Sequence, residues 1–292
     1  MSNEETTINL PAEQSVSYGD KFQWTMTQMV SCDLSTPATD AELLMSQGSK
    51  LPQEIWDTLT YSLTKENKRL NNVRRVTEKA KACVAADEAV SDEKVNDDWL
   101  NRFNAIIEEI SDDTMQNVWA LILSGEIKQP KSFSLRTLDV VKNMRKEEAD
   151  LYVNAMQYMC LDHFVLTETE YGMNLDDVIR LIDMGVMSPD DLERSVSLNK
   201  GDNIIGMDHE HILIAKNESE GKILVKFKGR RLTKAGEEME NLVKDKKDNL
   251  ELYKFVAEKL KKAGASQVSI HKVVARKGQG QVEYLIEPDY KF

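Results

Sequence analysis

Asp98-Trp99-Leu100-Asn101-Arg102-Phe103-Asn104-Ala105-Ile106-Ile107-Glu108-Glu109-Ile110-Ser111-Asp112-Asp113-Thr114-Met115-Gln116-Asn117-Val118-Trp119-Ala120 is the stretch that sets the fold class. Trp99, Phe103, Ile106, Ile107 and Ile110 recur at helical spacing, the signature of one apolar stripe. Ser111 interrupts the stripe and is read as the cap of a second helix. Asp112 and Asp113 in its first turn complement the positive end of the dipole. Met115, Val118, Trp119 and Ile122 form the next stripe, with Gly125 as its C′ residue.

The helical pattern extends outward in both directions. Downstream, Ser132 or Ser134 opens a helix through Leu135, Leu138 and Val141. Another runs from about Glu147 to Leu161 through Leu151, Ala155 and Met159. Upstream, a long helix begins near Pro52, which suits a first turn. Ile55, Leu59 and Leu63 start its stripe and Leu70, Val73 and Val76 resume it, with a break near Glu66 allowed for. Short connections between amphipathic helices imply antiparallel neighbours in a bundle. Residues 1–50 are rich in Ser, Thr, Gln and acidic groups. Phe22-Gln23-Trp24-Thr25-Met26 alternates there as a strand or docking peptide would, and Thr39 or Asp40 can cap a short helix carrying Leu43 and Leu44.

Beyond the bundle the pattern changes. Leu175 to Asp183 reads as a helix ended by Gly185. The run Ile212-Leu213-Ile214, a turn at 217–221 and the alternating Ile223, Val225 and Phe227 read as a hairpin. Thr233 caps a helix through Met239, Leu242 and Val243. The last part holds a helix with Leu252, Phe255, Val256 and Leu260, then strands Val268 to Ala275 and Val282 to Ile286 joined across Lys277-Gly278-Gln279-Gly280.

A chain of 292 residues is at the upper end for one hydrophobic core, so two or three domains are expected. No run of about 18 apolar residues is present, and no membrane span is expected. Met1 to Gln14 have neither a basic nor an apolar signal region. Cys32, Cys83 and Cys160 lie far apart, as suits reduced thiols in a cytoplasmic protein. The net charge of −12 argues against a protein that coats nucleic acid, although placement matters as well as sum. Seven basic residues crowd Lys65 to Lys81 and ten acidic ones Asp87 to Asp113.

Three stretches are candidate polyanion contacts. Lys65, Lys68, Arg69, Arg75 and Lys79 have i,i+3 and i,i+4 neighbours and can form a ridge. Lys222, Lys226, Lys228, Arg230, Arg231 and Lys234 form the second cluster; strand alternation sets Lys222, Lys226 and Lys228, with Leu224, opposite Ile223, Val225 and Phe227. Arg276 and Lys277 are the third. The opposing reading for each is an ordinary solvated face. Cys160 with His163 and His209 with His211 lack zinc-finger spacing, so no metal or cofactor is expected. Adjacent carboxylates such as Asp97-Asp98 point about 100° apart on a helix and make no catalytic dyad. The phosphate loop, Gly-x-Ser-x-Gly and His-Glu-x-x-His are all missing.

Two resemblances follow from particular residues. Asp98 to Phe103 and Ile110 to Ala120, with Ser124-Gly125-Glu126-Ile127 and Phe133-Ser134-Leu135-Arg136-Thr137-Leu138, resemble a helical domain of unknown function in uncharacterised bacterial and prophage-encoded proteins, over about 95–160. That resemblance implies a setting in phage–host conflict and assigns no catalytic residue. Three helices ending in Leu181-Ile182-Asp183-Met184-Gly185-Val186-Met187, a hairpin, and then Arg231-Leu232-Thr233-Lys234-Ala235-Gly236 resemble a winged-helix domain over about 145–245. Its third helix departs from a DNA reader, offering Asp176, Asp177 and Asp183 against Arg180 where base edges and phosphates need cations and amides.

The expected fold is therefore mainly α and multi-domain: a helical bundle, a winged-helix-like α/β domain and a small C-terminal α/β unit. The expected divisions are a flexible or irregular N-terminal segment 1–50, a helical domain 51–144, the winged-helix-like domain 145–246 and a helix plus β-hairpin unit 247–292. The leading functional expectation is a non-catalytic protein-interaction or regulatory protein with a protein partner or a second copy of itself. The first alternative is a nucleic-acid-binding regulator using Lys226, Lys228, Arg230 and Arg231, with Lys65 and Arg69 on the first helix. The second is an enzyme of unfamiliar type, such as a nuclease effector.

Overall fold

The computed structural model describes residues 15–31, 52–160, 163–168, 172–201, 203–207, 211–243, 249–277, 281–284 and 290–291. The short helix expected at Leu43 and Leu44, and the end of the strand expected at Ile286, lie outside them. The chain is a mixed α/β protein of two compact units, Met1–Leu138 and Asp139–Phe292.

The first unit is helical. Helix α1 (Tyr18–Ser31) follows strand β1 (Ser15–Ser17), which pairs antiparallel with β2 (Ala89–Ser91). The strand expected at Phe22 to Met26 is thus part of a helix. Tyr18, Phe22, Thr25 and Met29 are its buried stripe, a period of 3.6 that outweighs the short alternation. Helix α2 (Gln53–Ala82) starts after Pro52 and runs through Glu66 without a break.

Helix α3 (Asp97–Ile107) is capped by Asn96, whose side chain accepts the Trp99 N–H. Helix α4 (Asp113–Lys128) is capped by Asp112 rather than Ser111: the Asp112 carboxylate accepts the Met115 N–H at 2.9 Å. Trp99 stacks on Phe103 with ring centres 5.0 Å apart, and Phe103 meets Trp119 edge-on at 5.7 Å. All three are buried, so the quoted stretch is core. Gly125 lies inside α4 instead of ending it. A Cβ there would stand 2.8 Å from the Phe133 ring, so close packing rather than a left-handed turn demands glycine. Helix α5 (Leu135–Asn143) spans the boundary between the units.

In the second unit, helix α6 (Lys146–Ala155) leads into β3 (Met159–Cys160) and β4 (Phe164–Leu166). Helix α7 (Leu175–Asp183) precedes β5 (Leu192–Leu198), β6 (Asn203–Met207), β7 (His211–Lys216) and β8 (Ile223–Arg231). Helix α8 (Lys234–Met239), helix α9 (Leu250–Lys262) and strands β9 (Gln267–Lys277), β10 (Gln281–Tyr284) and β11 (Tyr290–Lys291) complete it.

One sheet has the order β3-β4-β8-β5; the other runs β10-β9-β7-β6, with β11 also on β9. Strands β7 and β8 do not form the expected hairpin. β8 pairs with β4 and β5, while β7 pairs with β6 and β9. The turn between them crosses from one sheet to the other. It is held by buried Asn217, whose amide donates to Leu198 O at 3.0 Å and Gly221 O at 2.8 Å. A shared core with Phe164, Leu198, Leu213, Val225, Phe227, Leu252, Leu260 and Ile270 joins both sheets to α9.

Candidate functional site

Strand β8 sorts its side chains as the alternation requires: Ile223, Val225 and Phe227 are buried, while Leu224, Lys226 and Lys228 are exposed. Its exposed face borders the edge strand β5, with Ser197 opposite Leu224, Ser195 opposite Lys226 and Glu193 opposite Lys228. Residues opposite each other share a face, so β5 sets a carboxylate into the lysine row. Lys226 donates to Glu193 at 2.6 Å. That hydrogen bond, helped by the charges of Lys226, Lys228 and Lys259, holds the Glu193 carboxyl below the usual range.

The other candidates are similarly engaged. Arg230 donates to Pro189 O. Arg231 meets Glu237 at 3.1 Å, and Lys234 lies 3.8 Å from Glu238. Behind the strand, Glu168 accepts the Lys228 backbone N–H at 2.8 Å and pairs with Lys259 at 2.6 Å. Lys65 and Arg69 belong to α2 in the first unit, and the four β8 residues belong to the second. Lys65 is exposed, and Arg69 lies 3.8 Å from Glu66 and 4.0 Å from Glu108.

Helix α7 carries a surface that charge alone does not mark. Asn174 caps it by accepting the Asp177 N–H at 2.9 Å, and Asp177 faces Arg180 at 3.6 Å. Val178 and Leu181 turn into the core, whereas Leu175 and Ile179 are 68% and 46% exposed. Half-buried Ile182 continues their row, with exposed Asp176 and Asp183 beside it. Gly185, at φ +75°, ends the helix as expected, in a conformation that favours glycine. The available signal was that Leu175-x-x-x-Ile179-x-x-Ile182 and Val178-x-x-Leu181 are two apolar rows, and one core receives only one of them.

In the first unit a cleft of about 410 Å³ is lined by Trp24, Gln28, Lys94, Asn96, Glu126 and Lys131, among others. Lys94 lies 4.8 Å from the centre of the Trp24 ring. Buried Glu126 accepts the backbone N–H groups of Lys131 at 2.6 Å and Phe133 at 3.0 Å, which shapes the cleft wall. Nearby Lys21 donates to Ser91 O at 2.8 Å; burial pulls its ammonium below the usual lysine range, against Glu93, Asp92 and Glu126.

His209 lies outside the described residues, and His163 shares a 2.8 Å hydrogen bond with Glu240. No group of three His, Cys, Asp or Glu able to hold a metal ion occurs among the described residues. Among the same residues, no helix is long and apolar enough to cross a membrane.

The architecture is that of a mixed α/β protein of more than one domain, and the family comparison gives it a place. The profile of the family described as Protein of unknown function (DUF2806) matches residues 61–165 and 156–256, more than half of the chain. The chain belongs to that family. No curated protein and no solved structure matches it.

Proposed function

We propose that this chain is a non-catalytic protein-interaction or regulatory protein, and that it docks a protein partner through α7. The observation that carries the reading is the face of α7, where exposed Leu175 and Ile179 form a row flanked on one side by exposed Asp176 and Asp183. Apolar anchors one helical turn apart suit the groove of another protein. The carboxylates beside them select a partner with Lys or Arg at the rim of that groove. They would repel a phosphate backbone.

A winged-helix-like reading of the second unit is supported by the β4-β8-β5 order, with α6 before β4 and α7 between β4 and β5. In that reading α7 takes the position from which a DNA-binding relative reads bases, and its surface is apolar and acidic instead. A setting in phage–host conflict rests on the resemblance to prophage-encoded proteins.

The test is purification of the tagged chain from its own cells with partner stoichiometry measured. A partner should elute in fixed ratio, be lost with Leu175→Lys/Ile179→Lys, and be kept when Lys226, Lys228, Arg230 and Arg231 are all changed to Glu. Retention by the α7 variant with loss from the β8 variant overturns the assignment. A second reading, general phosphate binding by β8, is favoured by exposed Lys226 and Lys228 on one strand face.

A further inference from the structure

We infer that the first two thirds of α2 form a homotypic interface, in which two copies of this chain pair their α2 helices antiparallel. This goes beyond the α7 surface and involves a different unit. Helix α2 has 30 residues, of which Asn72, Val76 and Ala80 are buried. Its first 19 residues, 53–71, contain none of these three, and they span about 28 Å at the α-helical rise.

That span is not featureless. Trp56, Leu59, Leu63, Glu66, Leu70 and Val73 repeat at alternating steps of three and four, the a/d pattern of a coiled-coil seam. Leu70 on this stripe and Ile55 at its margin are exposed, while Leu59, Leu63 and Val73 are half-buried. At 3.6 residues per turn, the stripe is rotated by roughly 110° from the row Asn72, Val76 and Ala80. It is thus a second apolar face, distinct from the row that α2 buries.

Charge placement chooses the occupant and its direction. Glu54 and Asp57 lie near the start of α2, while Lys65, Lys68, Arg69, Arg74 and Arg75 follow further on. A parallel, in-register pair would bring the two basic segments together. An antiparallel pair sets each acidic start beside the other copy's basic segment and also opposes the helix dipoles. The register that matches a to d positions places Leu59 against Leu70 of the second copy, Trp56 against Val73 and Leu63 against Glu66. It uses the whole stripe while leaving Ala80 to its own unit. Two symmetry-related polar layers, each Leu63 of one copy with Glu66 of the other, flank the two-fold axis and fix register at some cost in affinity.

The test uses the full chain with Cys32, Cys83 and Cys160 changed to Ser. Leu59→Cys, carrying a size tag, and Leu70→Cys, untagged, are oxidised separately and as a mixture. The mixture should yield a mixed disulfide dimer several-fold above the covalent dimer from either variant alone. In the antiparallel pair the two copies of position 59 are 11 residues apart along the axis, roughly 16 Å, beyond disulfide reach. Sedimentation velocity of the unmodified chain should show a dimer over the micromolar range. Leu63→Glu should remove it with helix content unchanged, and Glu54→Lys/Asp57→Lys should weaken it several-fold at low salt. Equal covalent dimer from the single variants, or a monomer at every concentration, overturns the inference. The cysteine variants are mild substitutions on α2, so the result does not depend on the glutamate variant folding.

Discussion

Helix α4 has 16 residues and buries eight of them; helix α2 has 30 and buries three. The difference follows from composition. Trp119, Ala120, Ile122, Leu123 and Ile127 make α4 apolar over much of its circumference, so it belongs in a core. The sequence of α2 has narrow apolar rows among charged and amide side chains. Helices in proteins owe most of their stability to tertiary packing. A long helix with little burial therefore points to support from something beyond its own core. The contrast recurs on α7, where Val178 and Leu181 serve the core and Leu175 and Ile179 remain exposed. Burial separates the rows that serve the core from those that remain exposed, and the exposed rows carry the proposed docking.

The largest effect should come from α4. Trp119→Ala removes a fully buried side chain from the cluster with Phe103 and should lower unfolding free energy by about 3–5 kcal/mol. Urea titration followed by circular dichroism measures it. A loss under about 1 kcal/mol would mean that α4 is not core.

Next in size is the link between Glu168, Lys259 and the Lys228 backbone. Glu168→Gln should cost about 1–3 kcal/mol, because it leaves a partly enclosed ammonium without its carboxylate. Denaturation of the variant beside the parent checks this, and no change would show that solvent already serves Lys259.

Two tyrosines sharpen the comparison between the units. Tyr18 donates to Ala80 O at 2.9 Å in the first, and Tyr152 to Gly236 O at 2.6 Å in the second. Burial pushes both phenols well above their ordinary range. Below about pH 10 both are neutral whether folded or unfolded, so their contribution is constant. Above it the unfolded chain releases protons that the folded chain keeps, and stability falls as pH rises. Tyr152→Phe should lower stability by about 1 kcal/mol at neutral pH and flatten the decline above about pH 10. Denaturant midpoints across that window provide the measurement, and an unchanged slope would contradict the assignment.

The smallest effect belongs to the exposed rows. Leu175→Lys/Ile179→Lys should change the stability of the isolated chain by no more than about 0.5 kcal/mol. Partner retention should nevertheless be lost. A large loss of stability would instead return α7 to the core.

The helices were largely legible in the sequence, since apolar periods lie close together along the chain. Thr233 caps its helix as read, Asn96 and Asn174 cap theirs without having been singled out, and the exposed face of β8 followed from alternation alone. Strand partners were not legible. The turn at 217–221 looks like a hairpin turn because its residues suit one, yet Asn217 uses it to pass between sheets. The true neighbour β5 reads Leu-Glu-Arg-Ser-Val-Ser-Leu, an edge strand too polar to announce itself. The basic cluster was legible as charge but not as a surface, because Glu193 and Glu237 come from other elements.

The proposal that this chain recognises protein rather than nucleic acid is tested most directly by titrating it against duplex DNA at about 50 mM and about 200 mM salt. Steep salt dependence marks the release of counterions from phosphates. Protein recognition through α7 predicts no salt-steep binding at either concentration, and no difference between the parent and the variant with Lys226, Lys228, Arg230 and Arg231 changed to Glu. Retention at low salt that falls several tens-fold or more at the higher concentration, and disappears in the variant, would contradict it and make β8 the functional surface.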